Sequence, residues 1–149
     1  MIRGILMHHV AVMRKSWNLT EKILSGEKKI ESRWYNTRYA PWDIIHAGDT
    51  VFFKEGKHVT AKAGVSKVLQ FDGLDERKVR ALLDRYAKED GIGDRKDYFS
   101  HLFKNKKYCI LMFLKNPRPV KFEINKKSQM ASWICVDDIS KIVPSRHLC

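Results

Sequence analysis

The stretch His58–Val65 (HVTAKAGV) restricts the fold of this chain most strongly, because its residues alternate between two kinds. Apolar side chains occupy every second position and polar residues or glycine stand between them, which is the pattern of a β-strand with one buried face. The alternation then slips, since Val68 is out of phase with Val65. Gly64 lies beside the slip, and glycine inside a strand is typical of a bend or bulge. The sequence therefore predicts a strand that curls, as the strands of a small barrel do.

Other apolar patterns predict six further strands and two helices. The strands are His8–Met13, Lys29–Arg33, Thr50–Lys54, Tyr108–Leu114, Val120–Ile124 and Trp133–Val136. The helices are Asn18–Ser25, with Asn18 and Glu21 as a capping box and Gly26 as its end, and Asp75–Ala87. The polar stretch Lys88–Lys96 is predicted to be a loop.

These elements define the expected architecture. The chain has 149 residues and no linker rich in proline, glycine or serine, so we expect one domain spanning residues 1–149. Short strands with helices inserted between them favour the α+β class. The expected fold is a small mixed β-barrel with two or three inserted helices.

The charge of the chain favours a polyanionic partner. Lys and Arg number 29 against 17 Asp and Glu, a net charge of +12, which suits nucleic acid or an anionic membrane surface. The excess is concentrated in His101–Lys127, where eight basic residues stand against Glu123 alone. These residues are Lys104, Lys106, Lys107, Lys115, Arg118, Lys121, Lys126 and Lys127. The segment is interpreted either as a surface that follows a phosphate backbone or as an ordinary solvated face.

Several classes of protein are disfavoured. The longest apolar run, Tyr108–Leu114, has seven residues, too few for a membrane span of roughly 18 or more. Three widely separated cysteines match no zinc spacing and suggest a reducing, cytoplasmic setting. The histidines His58, His101 and His147 have no further ligand at metal-binding spacing, and the chain has no phosphate-binding or dinucleotide loop. We therefore expect no metal, no cofactor and no membrane insertion.

An unusual concentration of aromatic and basic residues lies between Ser25 and Trp42. The residues are Trp34, Tyr35, Tyr39 and Trp42, with Arg33 and Arg38 among them. Aromatic faces stack on unpaired bases, each worth roughly 1–3 kcal/mol, while arginine binds phosphate or a base edge. The pattern therefore suits single-stranded nucleic acid or one extruded base. Alternatively, about half of these aromatics fill the core.

The same region resembles a known family. The run LSGEKKIESR with its G-x-K-x-x-x-x-R pattern (Gly26, Lys28 and Arg33), then GDTVFF and then VTAKAGVSKV, is similar to the ASCH domain of the PUA-like superfamily. The resemblance implies a PUA-like β-barrel with a cleft beside the Gly-x-Lys turn. It also implies RNA binding, and some family members are similar to ribonucleases or to amidohydrolases that act on N4-acetylcytidine.

The amidohydrolase branch implies three catalytic positions. Its lysine matches Lys28, its threonine position is occupied by Glu31, and its glutamate position falls near Asp90. Lys28 and Glu31 could form an acid–base pair, since a partly buried lysine loses its charge readily. Alternatively, Lys28 is a solvated turn residue and Glu31 forms an ion pair with Arg33.

Three functions follow as hypotheses. The first is an RNA-binding domain whose basic cleft accepts a base or nucleotide, using Lys28, Lys29, Arg33, Trp34, Tyr35, Arg38 and Tyr39, with Lys104, Lys106 and Lys107 on phosphates. The second is a small hydrolase acting on RNA or on a modified nucleoside, using Lys28 with Glu31 or Asp90. The third is a protein-interaction module in which the aromatics form an exposed patch.

Overall fold

A computed structural model describes residues 5–125, 128 and 131–144 of the chain. Lys126, Lys127, His147 and Cys149, which the sequence interpretation uses, lie outside the described residues. The strands are β1 (His8–Val12), β2 (Ile30–Tyr35), β3 (Thr50–Glu55), β4 (His58–Phe71), β5 (Tyr108–Glu123) and β6 (Trp133–Val136). The helices are α1 (Leu19–Ser25), α2 (Glu76–Tyr86) and α3 (Lys96–Phe103).

The six strands form one mixed sheet in the order β2-β5-β4-β3-β1-β6. Strands β1 and β3 run parallel, and the other neighbouring pairs are antiparallel. The sheet curls into a half-barrel with three helices, which confirms the predicted α+β class. Among the described residues no helix has both the length and the apolar character needed to cross a membrane.

Strand β4 curls the sheet, as its alternating sequence predicts. Val59, Ala61, Ala63 and Val65 are buried, whereas the residues between them are partly exposed. Its pairing with β5 shifts register at three points between Val59 and Lys67. Each shift adds local twist and bends the strand. The predicted bend near Gly64 is confirmed.

Strand β5 differs from the predicted elements. It runs unbroken where two strands are predicted, although it contains Pro117 and Pro119. Both prolines lie beyond Phe113, where the pairing with β2 ends and only β4 remains as a neighbour. Proline is tolerated there because an edge position requires no ladder hydrogen bond on its open side.

The predicted loop Lys88–Lys96 is wrong in its second half. The segment carries a short 3-10 turn at Gly93–Arg95, and α3 begins at Lys96. Phe99 and Phe103, four residues apart, lie on one face of that helix, a spacing that could have predicted it. The capping box predicted for α1 is also wrong, because Asn18 is left-handed (φ 54°) and its side chain caps nothing.

The main core lies between the sheet and the helices. Apolar residues of α1, α2 and α3 pack against the alternating residues of β4 and against Ile110 and Met112 of β5. A smaller cluster around Val10 and Phe52 packs beneath the 3-10 turn Ile139–Ile142. The sheet and its helices thereby hold the N-terminal half of β2 against the segment that follows α2.

The two ends of the curled sheet are joined by one side chain. Arg33 on edge strand β2 donates from Nη2 to the carbonyl oxygen of Val12 at the end of β1, at 2.8 Å. Its guanidinium carbon lies 5.1 Å from the ring centroid of Trp133, on the opposite edge strand β6. Arg33 therefore links the sheet ends where the described residues show no ladder between β2 and β6.

Candidate functional site

A cavity of about 300 Å³ lies where the ends of the sheet approach each other. Its lining includes the end of β1, strand β2, the segment after α2, and helix α3. That volume is at the lower end of the roughly 300–1,000 Å³ typical of small-molecule pockets. It suits a ligand the size of one base or nucleoside rather than a bulky cofactor.

Aromatic side chains form the walls of the cavity. Trp34 stacks on Phe103 with a centroid distance of 4.8 Å and an interplanar angle of 8°. Trp17 meets Phe99 edge to face at 5.0 Å, and Phe99 stacks on Phe103 at 5.7 Å. Helix α3 supplies both phenylalanines. It was missing from the sequence prediction, so this wall was missed as well.

The polar floor is built around Lys28, which is 2% exposed. Its ammonium group donates to the carbonyl oxygens of Ile30 and Asp90, each at 2.6 Å, and to Asp90 Oδ1. Glu31 Oε1 lies 3.3 Å from the same nitrogen. A buried charge needs such partners, because burial without them costs several kcal/mol. Lys28 is therefore a buried ion-pair residue, and the alternative of a solvated turn residue is wrong.

The backbone around α2 brings these groups together. The carbonyl oxygen of Glu89 accepts hydrogen bonds from the amides of Lys29 (2.6 Å) and Ile30 (2.9 Å), which fixes the segment after α2 beside the start of β2. Gly91 has φ +76°, and a Cβ there would lie 3.0 Å from Lys28 Cβ. Glycine is needed because both the left-handed conformation and the close contact exclude a side chain.

The two carboxylates of the floor are held by further hydrogen bonds. Glu31 Oε2 accepts from Arg33 Nη2 at 3.0 Å, and Glu31 Oε1 accepts from the Ser32 amide at 3.2 Å. Asp90 Oδ2 accepts from the Ser32 hydroxyl at 2.5 Å, and Ser32 Oγ accepts from Trp34 Nε1 at 3.0 Å. The polar floor, defined as Lys28, Glu31, Ser32, Arg33 and Asp90, is thus one connected network.

Burial raises the pKa of Asp90 to about 6 from its ordinary value of 3.8. The charge of Lys28 opposes this rise, and the charge of Glu31 adds to it. Loss of solvation dominates, because water no longer stabilises the carboxylate. Asp90 therefore changes protonation state close to neutral pH.

This shift predicts a pH-dependent stability. The folded state holds the Asp90 proton to higher pH than the unfolded state, so the stabilisation is complete below about pH 3.8 and is lost as pH rises through about 6. The free energy of unfolding of the wild type, relative to Asp90→Asn, should fall between these values by on the order of 3 kcal/mol, at roughly 1.4 kcal/mol per pKa unit. Urea denaturation of both proteins across that range measures the difference. A pH-independent difference would contradict the shift.

Comparisons with known proteins identify the fold. No protein-family model and no curated protein matches the sequence. Among solved structures, ASCH from Zymomonas mobilis is 18% identical, with a TM-score of 0.64 and coverage of 87% of each chain. Two single-residue variants of the Zymomonas protein are 20% identical, with TM-scores of 0.56 and coverage of 76% of this chain and 74% and 72% of theirs. The chain has an ASCH domain fold.

The ASCH fold confirms the family resemblance at the level of structure, and it brings several predicted residues together. Lys28, Glu31 and Asp90, predicted as catalytic candidates, meet in the polar floor. Arg33, Trp34 and Tyr35 line the same cavity. Their roles stay predictions.

Other predicted contacts lie outside the cavity. Lys29 and Arg38 are exposed, and neither lines it. Arg38 lies over the rings of Trp42 and Tyr108, each at 5.9 Å. Tyr39 is 57% exposed and contacts Tyr35 at a centroid distance of 5.7 Å, so it lies beside the site.

The four aromatics of Ser25–Trp42 divide by burial. Trp34 is buried, Tyr35 and Trp42 are half-buried, and Tyr39 is exposed. Burial raises the pKa of the Tyr35 phenol, and the Arg33 guanidinium beside it opposes that rise. The aromatics therefore contribute mainly to packing and to the cavity wall rather than to a continuous exposed patch.

The basic segment of the ASCH fold divides between two places. Lys104, Lys106 and Lys107 follow α3 next to the cavity wall, and the Lys107 amide donates to the Tyr35 carbonyl at 3.0 Å. Lys115, Arg118 and Lys121 lie on the far half of β5, where Arg118 is paired with Lys62. At about 3.3 Å per residue, Arg118 is on the order of 30 Å along β5 from its start. The two basic groups therefore lie towards opposite ends of β5.

A buried hydrogen-bond network that the sequence analysis did not predict holds Trp133, on which Arg33 stacks. Trp133 Nε1 donates to His9 Nδ1 at 3.1 Å, and His9 Nε2 is 2.8 Å from Asp49 Oδ2. Since an indole nitrogen only donates, His9 accepts at Nδ1 and donates to Asp49 from Nε2. This network orients the Trp133 ring on which the Arg33 guanidinium stacks.

Two observations concern metal-binding groups and the buried thiol in the part of the chain that the structure describes. There, no three His, Cys, Asp or Glu side chains are arranged to hold a metal ion. Cys109 is fully buried, and burial raises the pKa of its thiol well above the ordinary value. Such a thiol is a poor nucleophile.

Proposed function

We propose that this ASCH domain binds single-stranded RNA and accepts one base in the cavity. The observation that carries this proposal is the combination of aromatic walls and a polar floor in a cavity of about 300 Å³, within a chain of net charge +12. A free nucleoside is the smaller alternative ligand for the same space. We also propose a cytoplasmic location, which the sequence analysis predicts from the three cysteines.

The walls would stack on the base and the rim would contact the adjoining backbone. Stacking on an aromatic side chain is worth roughly 1–3 kcal/mol for each base. Arg14 is exposed at the rim, where its guanidinium carbon lies 5.1 Å from the Trp17 centroid. Lys104 and Lys106 are half-buried and lie outside the lining, but they closely follow Phe103, which forms the other wall. In this proposal these three cations contact phosphates on either side of a bound base.

Lys29, Arg38, Tyr39 and Lys107 take a lesser part in this proposal. They are exposed and lie outside the lining of the cavity. Their contribution is to the overall positive field, which speeds association and screens with salt.

The proposal predicts a steep dependence on salt. For single strands, log K falls with log[salt] by about 0.7 for each phosphate neutralised. With about three phosphates contacted, affinity for a labelled RNA decamer should fall roughly twentyfold between 50 and 200 mM salt. Fluorescence anisotropy measures this.

The same assay separates the rival partners. DNA of the same sequence and heparin serve as competitors. Preference for RNA over heparin at equal charge supports a base in the cavity. Equal competition by heparin would contradict it and favour the protein-interaction module or simple charge attraction. Preference for DNA over RNA would overturn the choice of RNA.

A second candidate function is hydrolysis of RNA or of a modified nucleoside such as N4-acetylcytidine. The observation that favours it is Asp90, a carboxyl at the cavity floor whose pKa is raised to about 6 and which accepts from the Ser32 hydroxyl. Asp90 or Glu31 would act as general base toward water, and Lys28 would act as a fixed cation that stabilises their negative charge.

The hydrolase predicts turnover with a distinctive pH profile. With Asp90 as general base, kcat/KM for N4-acetylcytidine or RNA should rise with pH through about 6. Asp90→Asn should abolish turnover, as followed by chromatography. If the folded protein binds RNA but shows no turnover, the hydrolase function is contradicted and only the binding function remains.

A further inference from the structure

Most hydrogen-bond donors of the polar floor are engaged within the protein. A protonated lysine has three N–H donors, and those of Lys28 point to the Ile30 carbonyl, the Asp90 carbonyl and the Asp90 carboxylate. The Ser32 hydroxyl donates to Asp90, and Trp34 Nε1 donates to Ser32 Oγ. None of these three side chains keeps a donor for a ligand.

The Arg33 nitrogen that faces Glu31, Nη2, also uses its hydrogens within the protein. Its Nη2 donates to the Val12 carbonyl at 2.8 Å and to Glu31 Oε2 at 3.0 Å. An Nη nitrogen carries two hydrogens, so both are used. The centre of the floor therefore offers a ligand few donors.

The carboxylates, by contrast, keep acceptor capacity. A carboxylate has about four acceptor sites. In the described part of the chain, Glu31 accepts from Ser32 and Arg33 and forms an ion pair with Lys28 at 3.3 Å, and Asp90 accepts from Lys28 and Ser32. Both side chains line the cavity. A ligand group that faces these two carboxylates therefore has to be a hydrogen-bond donor.

The charge of the floor argues against a cationic ligand. Lys28 and Arg33 balance Glu31 and Asp90 when both carboxylates are ionised, and the whole chain carries +12. Added positive charge would gain nothing from a neutral cluster inside a positive protein. The group recognised is therefore a neutral N–H edge on a flat ring that fits between aromatic walls.

Beside these acceptors stand two buried donors without an acceptor. The Tyr35 hydroxyl lies beside the Arg33 guanidinium, and among the described residues neither the hydroxyl nor Arg33 Nε donates to an acceptor. An unpaired buried donor costs roughly 1–3 kcal/mol. A carbonyl next to the N–H edge of a ligand would face Arg33 and Tyr35. The cavity therefore presents hydrogen-bond acceptors and, next to them, hydrogen-bond donors.

We propose, building on the RNA-binding function above, that the cavity selects guanine through its N1–H and N2–H₂ donors, which Glu31 and Asp90 accept. The O6 carbonyl of guanine adjoins N1 and lies toward Arg33 and Tyr35. Adenine and cytosine place an acceptor nitrogen beside their amino group, and uracil flanks its one N–H with two carbonyls. Each of these bases directs an acceptor lone pair at a carboxylate, which is repulsive.

The test compares single bases within a constant RNA. Uridine hexamers carrying one central guanosine, inosine, adenosine or cytidine, and the all-uridine hexamer, are titrated by anisotropy at about pH 7.5, above the pKa of Asp90 of about 6. A bidentate base contact discriminates by roughly 1–3 kcal/mol, which corresponds to about five- to 150-fold in affinity. Guanosine should bind tighter than adenosine, cytidine or uridine by that factor. Inosine, which keeps N1–H but lacks the amino group, should lie between.

A variant links the preference to its residue. Glu31→Gln replaces one acceptor oxygen by a donor amide. It should reduce the guanosine preference to under about threefold in affinity, which is a difference in binding free energy on the order of RT. Glu27→Gln removes an equal charge from the exposed turn nearby and should keep the preference. If Glu31→Gln does not fold, the ratio of guanosine to inosine on the wild type decides the question.

The outcomes separate base choice from RNA binding. Salt-sensitive binding of all hexamers with equal affinity would overturn guanine selection and leave the RNA-binding function standing. A preference for adenosine, cytidine or uridine would overturn guanine selection in the same way. Failure of every hexamer to bind would overturn the proposed function itself.

Discussion

Replacing Lys28 with alanine should lower the free energy of unfolding by about 3–5 kcal/mol, the usual cost of removing one partner from a buried ion pair. The change would leave Asp90 without its cation and Glu31 with Arg33 alone, and both of these side chains are only 4% exposed. It would also remove the donor from the buried carbonyls of Ile30 and Asp90. For a chain of this size the melting temperature should fall by roughly 6–20 °C.

The neighbouring lysine supplies a matched control. Lys29 is exposed, and in the described part of the chain its side chain makes no hydrogen bond or ion pair, so Lys29→Ala should change stability by less than about 0.5 kcal/mol. Urea denaturation at about pH 5 and about pH 8 adds a second criterion. The defect of Lys28→Ala should be smaller at the lower pH, where protonation relieves the repulsion between the carboxylates. Equal effects of the two substitutions would contradict the burial of Lys28.

Arg33→Ala should weaken RNA binding by about ten- to 100-fold, since hydrogen bonds to a charged group contribute roughly 1.5–3 kcal/mol. The side chain lines the cavity, pairs with Glu31 and joins the two ends of the sheet through Val12 and Trp133. Its loss would therefore widen the cavity and leave Glu31 with only one of its two cations, Lys28. Anisotropy with the labelled RNA decamer measures the affinity, and a thermal melt confirms that the variant folds.

Two further variants separate position from charge. Arg38→Ala removes the same charge from an exposed site outside the cavity and should weaken binding by less than about threefold, as expected for a surface charge. Arg33→Lys retains the charge but not the planar fork, so it should keep the salt dependence of binding and still lose affinity. Equal losses for Arg33→Ala and Arg38→Ala would show that only the overall charge matters.

Much of the fold could be predicted because it depends on residues close together in the chain. The alternation in His58–Val65 predicts β4, and the spacing of Val79 and Leu83 predicts α2. The Gly26 turn before β2 also follows from local sequence, since Gly26 is left-handed at the end of α1. The boundary errors in β5 and α3 arose where neighbouring segments, rather than local propensity, decide the structure.

The candidate site could be predicted only in part. The motif drew attention to Lys28 and Arg33, and the family resemblance to Glu31 and Asp90. Only the family resemblance suggested that Asp90 would meet Lys28 from 62 positions away, and nothing in the sequence indicated that α3 would supply the second aromatic wall. Contacts at such separation depend on how the whole sheet curls, and no local pattern encodes them.

The sequence by itself determined the periodic strands, the main helix, the positive charge and the residues of the Gly-x-Lys turn. Only the tertiary structure decided that Lys28 is a buried cation and that Arg33 joins the ends of the sheet. The reason is physical: periodicity and turn preference act between neighbours, whereas burial of a charge is set by the segments packed around it. Here those segments are the turn after α2, whose Glu89 carbonyl holds β2 in place, and β6, whose Trp133 supports Arg33.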